Sequence, residues 1–219
     1  MKKGLVDIDW QSIGKYSHEE ISYFLFLEGK TMEAICKIRN LDNAIVQKHI
    51  IDGKIKYRFL VKSNDTNELF KSIANAGKED KIYFLNSMSE ENKNKLTTLI
   101  KTSYGEMYPK DKEAAVWILG ELKDVACLDI LIKASVNKSI NIRRMAVSAM
   151  GKMGDERAEV ALLRALSDEN PQVVSYAIKS LGKIKSEKAI TKIKYLYENT
   201  DKKYIIDAAQ NFLSLMEPI

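Results

Sequence analysis

The sequence predicts an all-α protein in two parts, a helix-turn-helix module followed by a short α-solenoid. Three observations carry that prediction. A pattern recurs every 31 residues through the second half, three helical segments separated by turn signals fill the first 60 residues, and 45% of the 219 residues are apolar, enough for a core without staples.

The front segments come first in the chain. From His18, "HEEISYFLFLEGK" puts Ile21, Phe24 and Leu25 on one helix face, with Leu27 beside them, and Gly29 offers a stop. Thr31, with Glu33 close behind, opens a second helix whose apolar positions include Met32, Ile35, Cys36 and Ile38. Asn40 suits the left-handed conformation that a tight inter-helix turn needs. Asp42 is placed to cap a third helix, "NAIVQKHIIDG", with Val46 and Ile50 inward and Gly53 at its end. A short turn between the last two helices is the helix-turn-helix plan, in which the third helix can enter a major groove.

That third helix would turn Asn43, Ala44, Gln47 and Lys48 outward, and "GKIKYRF" continues with Lys54, Lys56 and Arg58. Asn and Gln match adenine edges, Lys matches guanine, and trailing cations meet phosphates. The candidate nucleic-acid contacts are therefore Asn43, Gln47, Lys48, Lys54, Lys56 and Arg58. About four of these contacts are cationic, so binding should be weak and salt-sensitive. The same pattern also suits a module that only packs on a protein. Tyr57 and Phe59 alternate with basic residues, as a stacking platform or as a buried connector. Trp10 is expected to anchor the N-terminal segment, His18 to start a helix, and His49 to satisfy a hydrogen bond.

In the second half, Ala115, Ala146, Ala177 and Ala208 stand in one column at the 31-residue step. Leu119, Met150, Leu181 and Phe212 form a second column, and Gly120, Gly151 and Gly182 a third. Cys127, Ala158 and Ala189 keep the same step, as do Leu131, Leu162 and Ile193. Each unit reads as two short amphipathic helices that must stack on their neighbours to bury an apolar face. Asp155 suits an N-cap, and Pro171 falls where a missing amide costs least. Lys133, Arg164 and Tyr195 share a column on the second helices, a candidate stripe for an acidic peptide or a phosphate backbone. The expected organisation is a module over 1–62, a linking helix over 63–77, and a solenoid over 78–219. The solenoid divides into a degenerate repeat (78–109), three full repeats (110–140, 141–171 and 172–202) and a terminal half repeat (203–219) acting as a cap. In the degenerate unit Phe84, Met88 and Ser89 occupy the Ala, Leu and Gly columns.

"RRMAVSAMGKMGDERAEVALLRALSDENPQV" resembles a HEAT repeat of the short bacterial kind often labelled PBS-lyase HEAT-like, over about 110–219. "LFLEGKTMEAICKIRNLDNAIVQKHI" is similar to the C-terminal helix-turn-helix of RecQ-type helicases, matching at Glu28, Gly29, Lys30, Ile35, Ile38, Arg39, Leu41 and His49. Where that family has a turn glycine, a capping serine and a phosphate-facing threonine, this chain has Asn40, Asp42 and Ile45. The resemblances imply about four stacked HEAT-like repeats that bind a protein, behind a module with possible weak contact to DNA.

Composition narrows the function classes. Thirty-five basic and 30 acidic residues leave a formal charge of +5, a mixed surface with a mild basic surplus. Two distant cysteines, Cys36 and Cys127, suggest neither a disulfide framework nor a metal site, and a reducing cytoplasm is expected. Asp7 and Asp9 interrupt the only hydrophobic run near the start, so neither a signal peptide nor a membrane span is expected. There is no phosphate loop, ligand cluster or nucleophile with a base, which predicts a protein with no catalytic residues, metal or cofactor. A scaffold without nucleic-acid binding is the alternative, and a HEAT-like repair enzyme a distant third. The sequence leaves the oligomeric state open.

Overall fold

The computed structural model describes residues 1–216, so the last three positions of the half repeat expected over 203–219 lie outside the described residues. Gly4, at φ +59°, turns a short antiparallel hairpin of β1 (Lys2–Lys3) and β2 (Val6–Asp7), strands absent from the sequence reading. A side chain at Gly4 would strike the carbonyl oxygens of Leu60, Val61 and Ser63, so the hairpin lies flush against that backbone. A 3-10 segment follows over Trp10–Lys15, and the Trp10 Nε1–H donates to Glu28 at 2.5 Å, fastening the N-terminal segment.

Helix α1 (His18–Leu27) opens with a reciprocal cap. Ser17 Oγ accepts from the Glu20 amide at 3.2 Å, and the Glu20 carboxylate accepts from the Ser17 amide at 2.9 Å. Gly29, at φ +87°, lies just beyond its end. Thr31 caps α2 (Met32–Arg39) by accepting from the Ala34 amide at 3.2 Å, and Asn40 makes the left-handed turn at φ 51°. Helix α3 (Asn43–Lys56) then packs on both, with Ile35, Val46 and Ile50 buried at the centre and Leu25, Phe26, Met32, Cys36 and Leu41 around them.

Three local expectations are corrected here. Gly53 does not end α3; it lies inside the helix and lets it approach α1, because a Cβ there would sit 2.2 Å from Tyr23 Cγ. Asp42 holds the N-cap position but makes no side-chain cap bond, so its carboxylate stays exposed beside the helix start. Ile38 is 58% exposed and takes no part in the core.

The chain continues through α4 (Arg58–Lys62), α5 (Thr66–Asn75) and α6 (Lys78–Ser87). Asp65 caps α5 by accepting from the Glu68 amide at 2.8 Å, and Leu69, Phe70 and Ile73 on α5 are buried. Phe59 meets Phe84 edge-on at 4.8 Å. The segment read as a linker is thus core-forming, and the two compact units are 1–89 and 90–219. The stretch 78–109, read from sequence as one degenerate repeat, is divided between them, because Phe84 finds its partner in Phe59.

The second unit runs α7 (Glu90–Ser103), α8 (Pro109–Leu122), α9 (Leu128–Ala134), α10 (Ile140–Met153), α11 (Glu159–Ala165), α12 (Pro171–Lys183), α13 (Ile190–Glu198) and α14 (Lys203–Met216). Every residue of the Ala, Leu and second-helix columns from Ala115 to Phe212 is buried. The glycine column sets the spacing between repeats. A Cβ at Gly120 would lie 2.7 Å from Ala149 Cβ, and one at Gly151 would lie 2.6 Å from Ser180 Cβ, so the first helices of successive repeats touch through small residues. Pro109 and Pro171 stand at helix starts, and Asp124 and Asp155 cap 3-10 turns by accepting from amides two residues on, at 3.0 and 2.9 Å. The preceding turn also repeats, with Lys123, Gly154 and Lys185 all at positive φ.

Candidate functional site

On α3 the buried side is made by Val46, His49, Ile50 and Gly53, so the opposite side is centred on Ala44, Lys48, Ile51 and Ile55. Asn43, Gln47 and Lys48 are exposed near the helix start, as the sequence reading required. Ile51 and Ile55 are 49% and 50% exposed, which places two apolar side chains in the middle of the outward face. Ile45, where the resembled family has a hydroxyl, is exposed as well.

The remaining candidate cations have partners inside the unit. Lys56 bonds Glu20 at 2.7 Å, and Arg58 bonds Asp80 at 3.0 Å. Lys54 stands over the Phe26 ring at 4.9 Å from its centroid. The Tyr57 hydroxyl donates to Glu20 at 2.6 Å while its ring stacks on Tyr23 at 5.6 Å and meets Phe24 edge-on at 5.2 Å. Burial, with the neighbouring Glu20 carboxylate, pushes the Tyr57 hydroxyl well above its usual range, so it remains a donor. Tyr57 and Phe59 are connector residues with occupied ring faces, and the stacking-platform alternative is set aside.

His49 is buried, with Nδ1 3.1 Å from Ser22 Oγ, a hydrogen bond that ties α3 to α1. His18 begins α1 and meets Arg39 at 2.9 Å. The six predicted contacts therefore differ in their surroundings. Asn43, Gln47 and Lys48 share the exposed start of α3, whereas Lys56 and Arg58 are tied to carboxylates.

In the solenoid, Lys133, Arg164 and Tyr195 all emerge from second helices and are exposed, Tyr195 at 63%. They belong to one column, but the backbones of successive second helices lie farther apart than those of α8, α10, α12 and α14, which pack directly side by side. Arg164 donates to Ser135 Oγ at 3.2 Å across the gap to the preceding repeat.

Sequence reasoning passed over Arg143. This buried guanidinium makes a paired contact with Asp168, at 2.8 and 2.9 Å, and also donates to the carbonyls of Asn137 and Lys138. It joins α10 to the loop before α12. Burial pushes the Asp168 carboxyl up, but the bonds from Arg143 and the Asn170 amide outweigh it and hold the carboxyl below its usual range. The signal in the sequence was a charged residue on the inward side of an otherwise apolar helix start. Cys127 is buried, and burial together with Asp124 pushes its thiol up to about 12, so it serves packing. Among the described residues no helix is long and apolar enough to cross a membrane.

Residues 18–104 match the model of a helix-turn-helix domain, spanning α1 through the turn after α7. Residues 96–162 match the model of HEAT repeats, from α7 into α11. No curated protein matches the chain. The HEAT match overlies the buried columns of the first repeats, and the other match begins at the capped start of α1. The chain carries an N-terminal helix-turn-helix domain followed by HEAT repeats.

Proposed function

We propose that the chain is a non-enzymatic adaptor of the cytoplasm, whose HEAT-repeat solenoid holds a protein partner and whose helix-turn-helix domain touches DNA weakly. The observation that carries this reading is the use made of the repeat positions. The recurrent residues are consumed by stacking, which leaves continuous helix faces as the solenoid's offering to a partner. Affinity capture with the full chain from its native cell tests this. Recovery of one protein in stoichiometric amount supports it, and repeated captures with none sink it.

For DNA, Asn43, Gln47 and Lys48 supply the base-facing set, and of the four candidate cations Lys48 and Lys54 have no carboxylate partner among the described residues. With about two cationic contacts free to displace counterions, the slope of log affinity against log salt should be near −2 rather than the −4 expected from four. Fluorescence anisotropy with a duplex across a salt series measures it. Lys48→Glu should abolish the signal, and Lys56→Gln should leave it unchanged. Absence of binding at low salt favours the second reading, a scaffold without nucleic-acid contact. Exposed Ile51 and Ile55 on the outward face of α3 support that alternative, because apolar side chains gain little from a hydrated groove.

A further inference from the structure

We propose that the face formed by the first helices α8, α10 and α12 is the partner site, and that it recognises an extended peptide segment bearing both acidic and apolar side chains. This inference rests on the adaptor reading and names the partner's chemistry. Its starting point is a charge imbalance. Helices α10 and α12, "INIRRMAVSAMGKM" and "PQVVSYAIKSLGK", contain five cations and no carboxylate. Arg143 is neutralised by Asp168, and Lys152 by Glu121. Arg144, Lys179 and Lys183 have no carboxylate partner among the described residues.

Two of these cations are held close together. The Arg144 guanidinium and the Lys179 ammonium each lie 5.6 Å from the centroid of the Tyr176 ring. They are therefore separated by at most twice that distance, so one carboxylate of a partner can be attracted by both. Cations already occupy the surroundings of the Tyr176 ring, so the tyrosine is poorly placed to stack on a base, which favours a peptide over a nucleic acid.

The surface between the charges is apolar. Met145 and Tyr176 stand in one repeat column and Trp117 stands one turn along α8; all three are half-buried. The second-helix layer differs in both respects. Its outward residues are more exposed, with Val160 at 75%, and two of its cations have acceptors, Lys192 on Ser167 and Arg164 on Ser135. The two layers are joined in every repeat, and the first helices approach each other through Gly120 and Gly151 while the backbones of the second helices stay farther apart. A stack drawn tighter on one side bends toward that side. The first-helix layer is then the inner face, where a chain can meet several repeats at once.

Crossing from α8 to α12 covers two interhelical steps of roughly 9 Å each, so about six extended residues span it. The probe is a fluorescein-labelled peptide of about eight residues alternating Glu with Leu, titrated into the full chain by anisotropy at low and physiological salt. Saturable binding is expected, weakened about tenfold or more by Arg144→Glu with Lys179→Glu. The same binding should be unchanged by Lys133→Glu with Arg164→Glu on the other layer. Lys179→Gln, an exposed single change, guards against misfolding and should weaken binding with an unaltered unfolding temperature. No binding at low salt overturns the proposal, as does equal loss from the second-layer pair. A duplex of equal charge that binds more tightly through Arg144 and Lys179 would replace the peptide with nucleic acid. If the native partner is still captured by the Arg144→Glu, Lys179→Glu chain, the adaptor reading stands and this face is excluded.

Discussion

Lys123 and Lys185 occupy the left-handed turn position that Gly154 fills in the middle repeat, at φ values of 53°, 53° and 70°. An L side chain in that conformation costs about 1–2 kcal/mol, and glycine escapes the cost at some loss of chain entropy. Replacing either lysine by glycine is therefore expected to raise stability by about 1 kcal/mol, read as a higher denaturant midpoint with an unchanged slope. Gly53 predicts the opposite. Alanine is normally the better helix residue, but here its methyl would lie within 2.2–2.6 Å of Tyr23 Cγ, Cβ and Cδ2, atoms that cannot swing aside without moving α1. Gly53→Ala should cost about 2 kcal/mol, measured by chemical unfolding, despite the gain in helix propensity. Arg143 is the third such position. Its side chain is 9% exposed and that of Asp168 10%, so Arg143→Ala strands a buried carboxylate and should cost about 3–5 kcal/mol. An unchanged denaturant midpoint in that variant would show that the pair is not structural.

At the scale of elements, α3 explains why a sequence motif and its surface can part company. The inward positions Val46, His49 and Ile50 decide where the helix packs, and they satisfy the helix-turn-helix plan. The outward positions face fewer constraints, and here they mix Gln47 and Lys48 with Ile51 and Ile55. Two cations counted toward DNA turn out to be paired with carboxylates of the same unit. Lys56 lies against Glu20, the residue that also completes the cap of α1 and accepts from Tyr57. Helical periodicity could place Lys56 on a flank of α3 but could not show that a carboxylate from α1 waits there. The repeat helices behave differently, because each buried column recurs 31 residues away in a copy of the same helix. Their environment is therefore repeated with the sequence, and periodicity alone locates the core. The glycine column was visible as a pattern, yet its cause, the approach of Ala149 and Ser180, needed the neighbouring helix.

For the whole molecule, acid is expected to loosen both units, because each contains a carboxylate that the folded state holds below its ordinary range. In the first unit burial raises Glu20, but bonds from Lys56, Tyr57 and the Ser17 amide prevail. In the second, Asp168 is held down against its burial by Arg143, and Asp155 falls to about 2 through Arg157's side chain and amide. A depressed folded pKa contributes stability that is fully present above the unfolded value and lost as pH falls through the folded one. Stability should thus be flat above about pH 5 and decline below about pH 4, as followed by thermal unfolding across that range. Asp168→Asn should remove Asp168's share of that decline and leave the share of Asp155. The sequence by itself determined the all-helical class, the helix starts at His18 and Thr31, the left-handed turn at Asn40 and the 31-residue stack, because turns, caps and periodic burial are local or self-repeating. Only the tertiary structure decided that Phe84 packs on Phe59 in the first unit, that Gly53 is a contact rather than a stop, and which cations are neutralised. Those outcomes depend on partners distant in the chain and brought together by folding, a proximity that no local pattern encodes.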